Sequence, residues 1–129
     1  MPDQSIRAPG FPYSDNTQCD LAVAAYLTPH LNGEKTILIT HFPPYDIGKI
    51  TIIGQIATAG SVALQTLIEN VASQLIVTIN GHLHVQLWNN DYHGTTALNP
   101  GCVALNLYAL LYIEMGENPK VQRVELKSL

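Results

Sequence analysis

Two apolar, β-branched segments separated by a helical stretch constrain the fold of this chain more than any other feature. Thr36-Ile37-Leu38-Ile39-Thr40 and Leu75-Ile76-Val77-Thr78-Ile79 are short and mostly apolar, which is typical of strands buried on both faces. Between them, from Gly60-Ser61 onward, apolar residues recur at helical spacing. Strands joined through a helix pair in parallel by a right-handed crossover. The pattern therefore predicts a β-α-β unit whose strands end at the same edge of one sheet.

The other segments predict one helix before this unit and short strands after it. A helix should run from about Cys19 and stop at Asn32-Gly33, after an irregular lead-in, and residues 42–58 should form a long loop with a short strand at Ile50–Ile53. The second helix should bury Val62, Leu64, Leu67, Ile68 and Val71. The predicted later elements are an extended Val85–Trp88, turns at Asn89-Asn90-Asp91 and at His93-Gly94, a strand at Thr95–Leu98, and a hairpin of Leu107–Glu114 with Val121–Leu126. The predicted fold class is α/β (α+β).

Composition limits what a chain of this kind does. Its 129 residues suit one domain, and its net charge of −4 with only 6 Lys and Arg leaves no nucleic-acid footprint and no cationic patch for a membrane. No apolar run is long enough to span a bilayer. Cys19 and Cys102 lie outside any paired motif, which predicts reduced thiols and a cytoplasmic protein. The charged share of 12% is low, so much of the surface is neutral polar, apolar, or covered by another subunit.

Three of the five histidines fall where the two central strands end. His82 and His84 follow Gly81 in Gly81-His82-Leu83-His84, and His41 follows Thr40. Residues two apart in extended chain point to the same side and lie roughly 6.6 Å apart, which lets their side chains converge on one metal or serve two neighbouring metals. Because the two strands should end at one sheet edge, we expect the three imidazoles to form a metal cluster there.

Simpler interpretations stand beside this one. A lone histidine at a strand end is usually a hydrogen-bonded loop residue, and that interpretation is favoured for His41 taken alone. The His-x-His pair after a glycine, together with His41, favours metal binding. His30 and His93 have no such context and are interpreted as structural or solvent-exposed. Asp46 is the loop carboxylate best placed to reach the histidines, although a solvated loop position suits it better.

Four segments, in their order and spacing, resemble the second half of the calcineurin-like metallophosphoesterases. The resemblance covers about Asp20 to Leu126 and is carried by Thr40-His41-Phe42-Pro43-Pro44-Tyr45, Gly60-Ser61, Gly81-His82-Leu83-His84 and Asn99-Pro100-Gly101. It implies a β-sandwich flanked by helices, in which two divalent ions (Mn, Fe, Zn or Ni) activate water for in-line attack on a phosphate mono- or diester. It also implies that His41 and His82 bind one ion and His84 the other. The resemblance also implies that Gly60-Ser61 starts a helix near the substrate, where free N–H groups suit a phosphate, although an ordinary helix cap is the favoured interpretation. Asn99-Pro100-Gly101 is expected to form a turn beside the metal site that contributes no ligand.

The family's first half carries Asp-x-His, Gly-Asp-x-x-Asp and Gly-Asn-His-Asp/Glu motifs, and none of these precedes His41. The chain is therefore expected to be truncated relative to the family, with residues 1–18 an irregular lead-in and residues 19–129 the C-terminal part of the domain. No catalytic residue is assigned. We expect a homo-oligomer, or a partner chain that supplies the missing half. In the isolated chain we expect divalent metal ions to bind weakly or to be absent. Two alternatives remain: a non-catalytic oligomeric or vestigial module, and a three-histidine site for one zinc ion.

Overall fold

The computed structural model describes residues 16–47, 49–52, 54–58 and 60–129. Within these residues the fold is mixed α+β, with two α-helices, eight strands and three 3-10 turns, at Thr28–His30, Ala72–Gln74 and Val103–Leu105. The helices and strands are α1 (Asn16–Leu27), β1 (Thr36–Thr40), β2 (Lys49–Ile52), β3 (Gln55–Thr58), α2 (Val62–Val71), β4 (Leu75–Asn80), β5 (Gln86–Tyr92), β6 (Thr95–Pro100), β7 (Leu107–Glu114) and β8 (Lys120–Ser128).

A four-stranded mixed sheet organises the fold, in the order β1-β4-β6-β5. β4 pairs in parallel with both β1 and β6, and β5 pairs antiparallel with β6. The predicted β-α-β unit with parallel neighbouring strands is confirmed. Because β4 is parallel to both β1 and β6, these three strands end at the same edge of the sheet, which is where open α/β sheets place ligands.

The core lies between one face of this sheet and the helices. α2 buries Leu64, Leu67 and Ile68, whose spacing of three and four residues places them on one side of the helix. The other buried members of this cluster are Leu38, Leu75, Tyr92 and Ala97. Each large aliphatic side chain removed from water here contributes about 1.5–3 kcal/mol. The packing of α2 therefore stabilises β1 and β4 in addition to their backbone pairing.

Two burial predictions are wrong. β1 has the predicted bounds, but it is not buried on both faces, because Leu38 is 5% exposed while Ile37 is 43% and Ile39 is 72% exposed. β1 is the edge strand of its sheet, and only the face that carries Leu38 packs against α2. Val62, predicted to be buried, is 57% exposed since it lies in the first turn of α2, away from the packed stripe.

The turn predicted at Asn89-Asn90-Asp91 is also wrong. β5 continues to Tyr92, and the chain reverses at the second predicted turn, His93-Gly94, which is confirmed and has φ angles of 50° and 91°. The strand pairing slips between Asn89 and Tyr92, and the Asn89 side chain accepts a hydrogen bond from the Asp91 N–H over 2.9 Å. Turn-forming residues here make an irregularity within a strand, which local sequence does not distinguish from a turn.

Other predicted elements are confirmed in outline. Within residues 42–58, β2 and β3 form an antiparallel pair, close to the strand expected at Ile50–Ile53. The predicted C-terminal hairpin is present as β7 and β8, and Gln86 Nε2 donates to the carbonyls of Tyr108 (2.6 Å) and Lys127 (2.8 Å), which ties this hairpin to β5. The lead-in predicted for residues 1–18 lies outside the described residues as far as residue 15, and Asn16 already begins α1.

Neither helix in the described part of the chain is long and apolar enough to cross a bilayer. Cys102 is a free, partly buried cysteine. The side chain of Cys19 lies outside the described side chains, so the predicted state of its thiol stays a prediction.

Candidate functional site

His41 and His82 lie side by side where β1 and β4 end. The Gly81 N–H donates to the His41 carbonyl over 2.9 Å, which continues the pairing of the two strands beyond their last residues. His41 Nε2 and His82 Nδ1 are 3.3 Å apart, and the two ring centroids are 5.2 Å apart. Two imidazole nitrogens at this separation either share a proton as donor and acceptor or face a common ligand.

Phe42 packs against both imidazoles. Its ring centroid lies 4.5 Å from that of His82 and 5.1 Å from that of His41, within the range of favourable aromatic contacts. Sequence reasoning missed this residue, although its position between His41 and the prolines was a signal. Phe42 restricts how the two imidazoles rotate and covers part of their surface.

The backbone at His82 has an uncommon conformation. Its φ is 64°, in the left-handed region that non-glycine residues adopt rarely and that is concentrated at functional sites. Asn99 stabilises this loop: its buried Nδ2 donates to the Leu83 carbonyl over 2.8 Å and lies 3.5 Å from the Gly81 carbonyl. Asn99 Oδ1 accepts from the Gly101 N–H over 2.9 Å. Asn99 is therefore a positioning residue for His82. The turn predicted at Asn99-Pro100-Gly101 is wrong at its first two residues, because Asn99 and Pro100 belong to β6.

Glycine is required at Gly60 but not at Gly81. A Cβ atom at Gly60 would overlap the Pro44 carbonyl and the Tyr45 Cα, whereas a Cβ at Gly81 would lie at an ordinary 3.7 Å from the His41 carbonyl oxygen. The close approach at Gly60 lets the Ser61 N–H donate to the Pro43 carbonyl over 2.8 Å. The interpretation of Gly60-Ser61 as a helix cap is confirmed, because the Ser61 hydroxyl accepts from the Leu64 N–H over 2.9 Å. These contacts fix the segment that follows His41 onto α2.

Electrostatics favour a neutral His82. Partial desolvation lowers the pKa of its imidazole below the ordinary 6.5, and positive charge on His41 and then on His84 lowers it further. His84 is solvent-exposed and acts on His82 through its charge, without a described ring contact to His41 or His82. A neutral imidazole keeps the lone pair with which histidine binds metals.

The structure brings two of the three predicted ligands into contact. In the described part of the chain, no group of three or more His, Cys, Asp or Glu side chains is arranged to hold a metal ion. His41 and His82 form the pair, and the exposed His84 lies two residues further along the loop. The assignment of these three residues as metal ligands stays a prediction.

Asp46 does not join this pair. Its Oδ1 accepts from the Tyr92 hydroxyl over 2.5 Å, and its Oδ2 lies 3.4 Å from His93 Nε2, which is also 3.5 Å from Glu69 Oε1. Tyr92 and His93 adjoin the start of β6, a strand parallel to β4, so this cluster lies at the opposite end of the sheet from His82. Asp46 has a structural role, as does His93.

One Asp-x-His sequence does occur in the chain, Asp91-Tyr92-His93, but it follows His41 in the sequence. Since Tyr92 and His93 belong to the cluster at the opposite end of the sheet, this segment does not lie at the histidine pair.

Comparison with protein-family models, with curated proteins and with solved structures finds no match to this chain. The resemblance to metallophosphoesterases, which the sequence motifs carry, therefore stays a prediction.

Proposed function

We propose that this chain carries part of a metal-dependent phosphoesterase centre within a β-sandwich fold of the metallophosphoesterase type, with His41 and His82 as ligands of one divalent ion. The observation that carries the proposal is the 3.3 Å separation of His41 Nε2 and His82 Nδ1. Two nitrogens bound to one tetrahedral zinc ion at about 2.0–2.1 Å lie about 3.3–3.4 Å apart, so the pair needs little rearrangement to share an ion. His84 is the proposed ligand of a second ion.

The surroundings of the pair support this function. The two imidazoles lie at the carboxyl ends of adjacent parallel strands, and the left-handed backbone at His82 is held by Asn99. The lowered pKa of His82 keeps its ring neutral near pH 7. A bound divalent ion would polarise a phosphoryl oxygen and lower the pKa of bound water.

Two divalent ions need more ligands than three imidazoles. Anionic oxygens normally hold and bridge such ions, and Asp46 is engaged with Tyr92 and His93 instead. Among the described residues no carboxylate completes a metal-holding group with the histidine pair. We therefore propose that a second copy or a partner chain supplies the oxygen ligands. The exposed Ile37 and Ile39 on the edge strand β1 support such an association, because an apolar edge strand favours pairing with another chain.

A non-catalytic module is the second candidate function. The same 3.3 Å separation suits a hydrogen bond between a protonated and an unprotonated imidazole nitrogen, which stabilises the loop without a metal. In that case the histidines fix the fold, and the exposed apolar residues of β1 serve assembly alone.

Calorimetric titration of the purified chain with Zn²⁺ and with Mn²⁺ distinguishes the metal-dependent centre from the non-catalytic module. Under the first proposal, His41→Ala and His82→Ala each weaken binding by at least about 10-fold, since loss of even an outer hydrogen-bonding partner weakens metal sites by that much. His30→Ala, which removes an exposed imidazole beside α1, is the matched control and leaves binding unchanged. Metal uptake that is equal in all four proteins, or absent from all, favours the non-catalytic module.

Hydrolysis of bis(p-nitrophenyl) phosphate in Mn²⁺ tests the chemistry itself. We expect turnover only where the missing oxygen ligands are supplied, and expect it to disappear in His82→Ala. Turnover that survives in His82→Ala would contradict the assigned role of this residue.

A further inference from the structure

The chain contains two Asn-Gly pairs, and the fold places them in opposite surroundings. Asn32 and Gly33 lie exposed in the loop between α1 and β1, whereas Asn80 ends β4 and is 3% exposed. An Asn-Gly pair is prone to deamidation, because glycine has no side chain to shield its backbone nitrogen and lets the backbone bend toward the preceding side chain. The two pairs therefore allow the effect of the fold to be separated from that of the dipeptide.

A backbone donor activates the side-chain carbonyl of Asn32. The Glu34 N–H donates to Asn32 Oδ1 over 3.3 Å, which polarises the carbonyl and stabilises the negative charge that develops on Oδ1 when a nucleophile attacks Cγ. Gly33 has a φ of 94°, which glycine adopts without strain. Because Asn32, Gly33 and Glu34 are all exposed, water and hydroxide reach the pair.

One contact opposes deamidation at Asn32. The Gly33 N–H donates to Gln74 Oε1 over 2.7 Å, and Gln74 belongs to the 3-10 turn Ala72–Gln74 that precedes β4. The Gly33 nitrogen must lose this proton to attack Asn32 Cγ, and a hydrogen bond to the protonated form of a group disfavours its deprotonation. Lys35 Nζ donates to the Ser73 carbonyl over 2.7 Å and holds the loop against the same turn.

The sheet protects the second pair. Asn80 lies in the extended backbone of β4, and the Gly81 N–H donates to the His41 carbonyl over 2.9 Å as part of the pairing between β4 and β1. Attack of the Gly81 nitrogen on Asn80 Cγ would break this pairing, and the burial of Asn80 excludes the water and hydroxide that the reaction needs.

We propose that Asn32 is a site of spontaneous deamidation in the folded protein and that Gln74 lowers the rate. The Gly33 nitrogen loses its proton to hydroxide and bonds to Asn32 Cγ; the Cγ–Nδ2 bond breaks, and ammonia leaves after taking a proton from water. Water then opens the succinimide ring to aspartate or isoaspartate, so one water is consumed for each ammonia released. The product places a carboxylate beside Glu34, in the loop that leads into β1. The inference does not depend on the proposed metal centre.

Incubation of the purified chain in mildly alkaline buffer, followed by proteolysis and peptide mass spectrometry, measures the conversion of each amide to a carboxylate. We expect Asn32 to convert in the folded chain while Asn80 stays unmodified. In concentrated urea, where Gly33 and Gly81 lose their hydrogen bonds, both asparagines should convert at comparable rates. If Asn32 in the folded chain is retained for as long as Asn80, the inference is overturned.

The variant Gln74→Ala tests the role of Gln74. It frees the Gly33 N–H, so conversion of Asn32 should become about 2–10-fold faster, the factor that corresponds to one net hydrogen bond. Gln65→Ala is the matched control: Gln65 Oε1 accepts from the Asp46 N–H over 3.2 Å, and its loss should leave the rate at Asn32 unchanged. A rate in Gln74→Ala no higher than in Gln65→Ala would overturn the role of Gln74. The comparison of Asn32 with Asn80 needs no variant, so poor folding of Gln74→Ala leaves that test intact.

Discussion

The side-chain amide of Asn99 donates to the Leu83 carbonyl over 2.8 Å and so ties β6 to the loop that carries His82. Because both partners are buried, removing the donor leaves the Leu83 carbonyl unsatisfied. We predict that Asn99→Ala lowers the free energy of unfolding by about 1–3 kcal/mol. Chemical denaturation measures this change, with the exposed Asn90→Ala as control. A change no larger than that of the control would show that the loop is held by other contacts.

The pKa of His82 offers a second test. We predict a value below 6.5 in an NMR titration, with desolvation the main cause and the charges on His41 and His84 secondary. His41→Ala should raise it part of the way back. Because the folded pKa is lowered, the unfolded chain binds more protons between the two pKa values, and stability falls as the pH drops through that window. A His82 pKa above 6.5 would contradict the described environment.

Tyr92 should stabilise the fold through Asp46. Burial first, and then the hydrogen bond to Asp46, raise the pKa of the Tyr92 hydroxyl far above its ordinary 10.0. Tyr92→Phe loses a hydrogen bond to a charged acceptor, so we predict a loss of about 1.5–3 kcal/mol in the free energy of unfolding. Tyr26→Phe, at a residue 44% exposed, is the control.

The same shift predicts an alkaline effect. Since the folded protein holds the Tyr92 proton that the unfolded chain releases, stability should fall as the pH rises above 10. Denaturation midpoints of the unmodified protein and of Tyr92→Phe, compared on both sides of this pH, measure the difference. Parallel curves would contradict it.

Two glycine substitutions form a matched pair. Gly60→Ala forces a Cβ into the Pro44 carbonyl and should cost about 1–3 kcal/mol of stability, as overpacking does. Gly81→Ala places its Cβ 3.7 Å from the His41 carbonyl oxygen, an ordinary contact, and should change stability by no more than about 1 kcal/mol. Thermal denaturation compares the stabilities of the two variants. A larger loss of stability in Gly81→Ala than in Gly60→Ala would contradict the claim that a Cβ atom fits at position 81 but not at position 60.

Exposed apolar residues on β1 predict self-association or a partner. Ile39 is 72% exposed on the edge strand of the sheet. If copies associate through this edge, light scattering after gel filtration should give a mass above 14.1 kDa, and Ile39→Lys should return it toward the monomer. Leu129→Lys, at a residue 87% exposed, is the control. A monomer at all concentrations would rule out association of copies through β1.

Local periodicity was sufficient to predict the β-α-β unit and the C-terminal hairpin. The apolar runs that became β1 and β4 carry their own strand signal, and a helix between them leaves parallel pairing as the favoured topology. The juxtaposition of His41 and His82 follows from that topology, because both residues come directly after neighbouring strands.

What the sequence did not predict depends on tertiary contacts. The exposure of Ile39 depends on whether another element packs on the outer face of β1. The apolar sequence of β1 does not indicate whether that face is covered. Asn99 was interpreted as part of a turn, yet its amide reaches across 16 residues to Leu83, a contact that only the paired strands create. Asn89-Asn90-Asp91 has turn composition but stays within β5, because β5 remains paired with β6 on both sides of a register shift between Asn89 and Tyr92.

A zinc titration followed through the ¹⁵N signals of the imidazoles shows whether His41 and His82 bind the same ion. We predict that the signals of His41 Nε2 and His82 Nδ1, which are 3.3 Å apart, shift together at the same Zn²⁺ concentration, while those of His30 do not. If the imidazole signals of His41 and His82 stay fixed in excess Zn²⁺, or move no more than those of His30, the two residues do not bind a common ion.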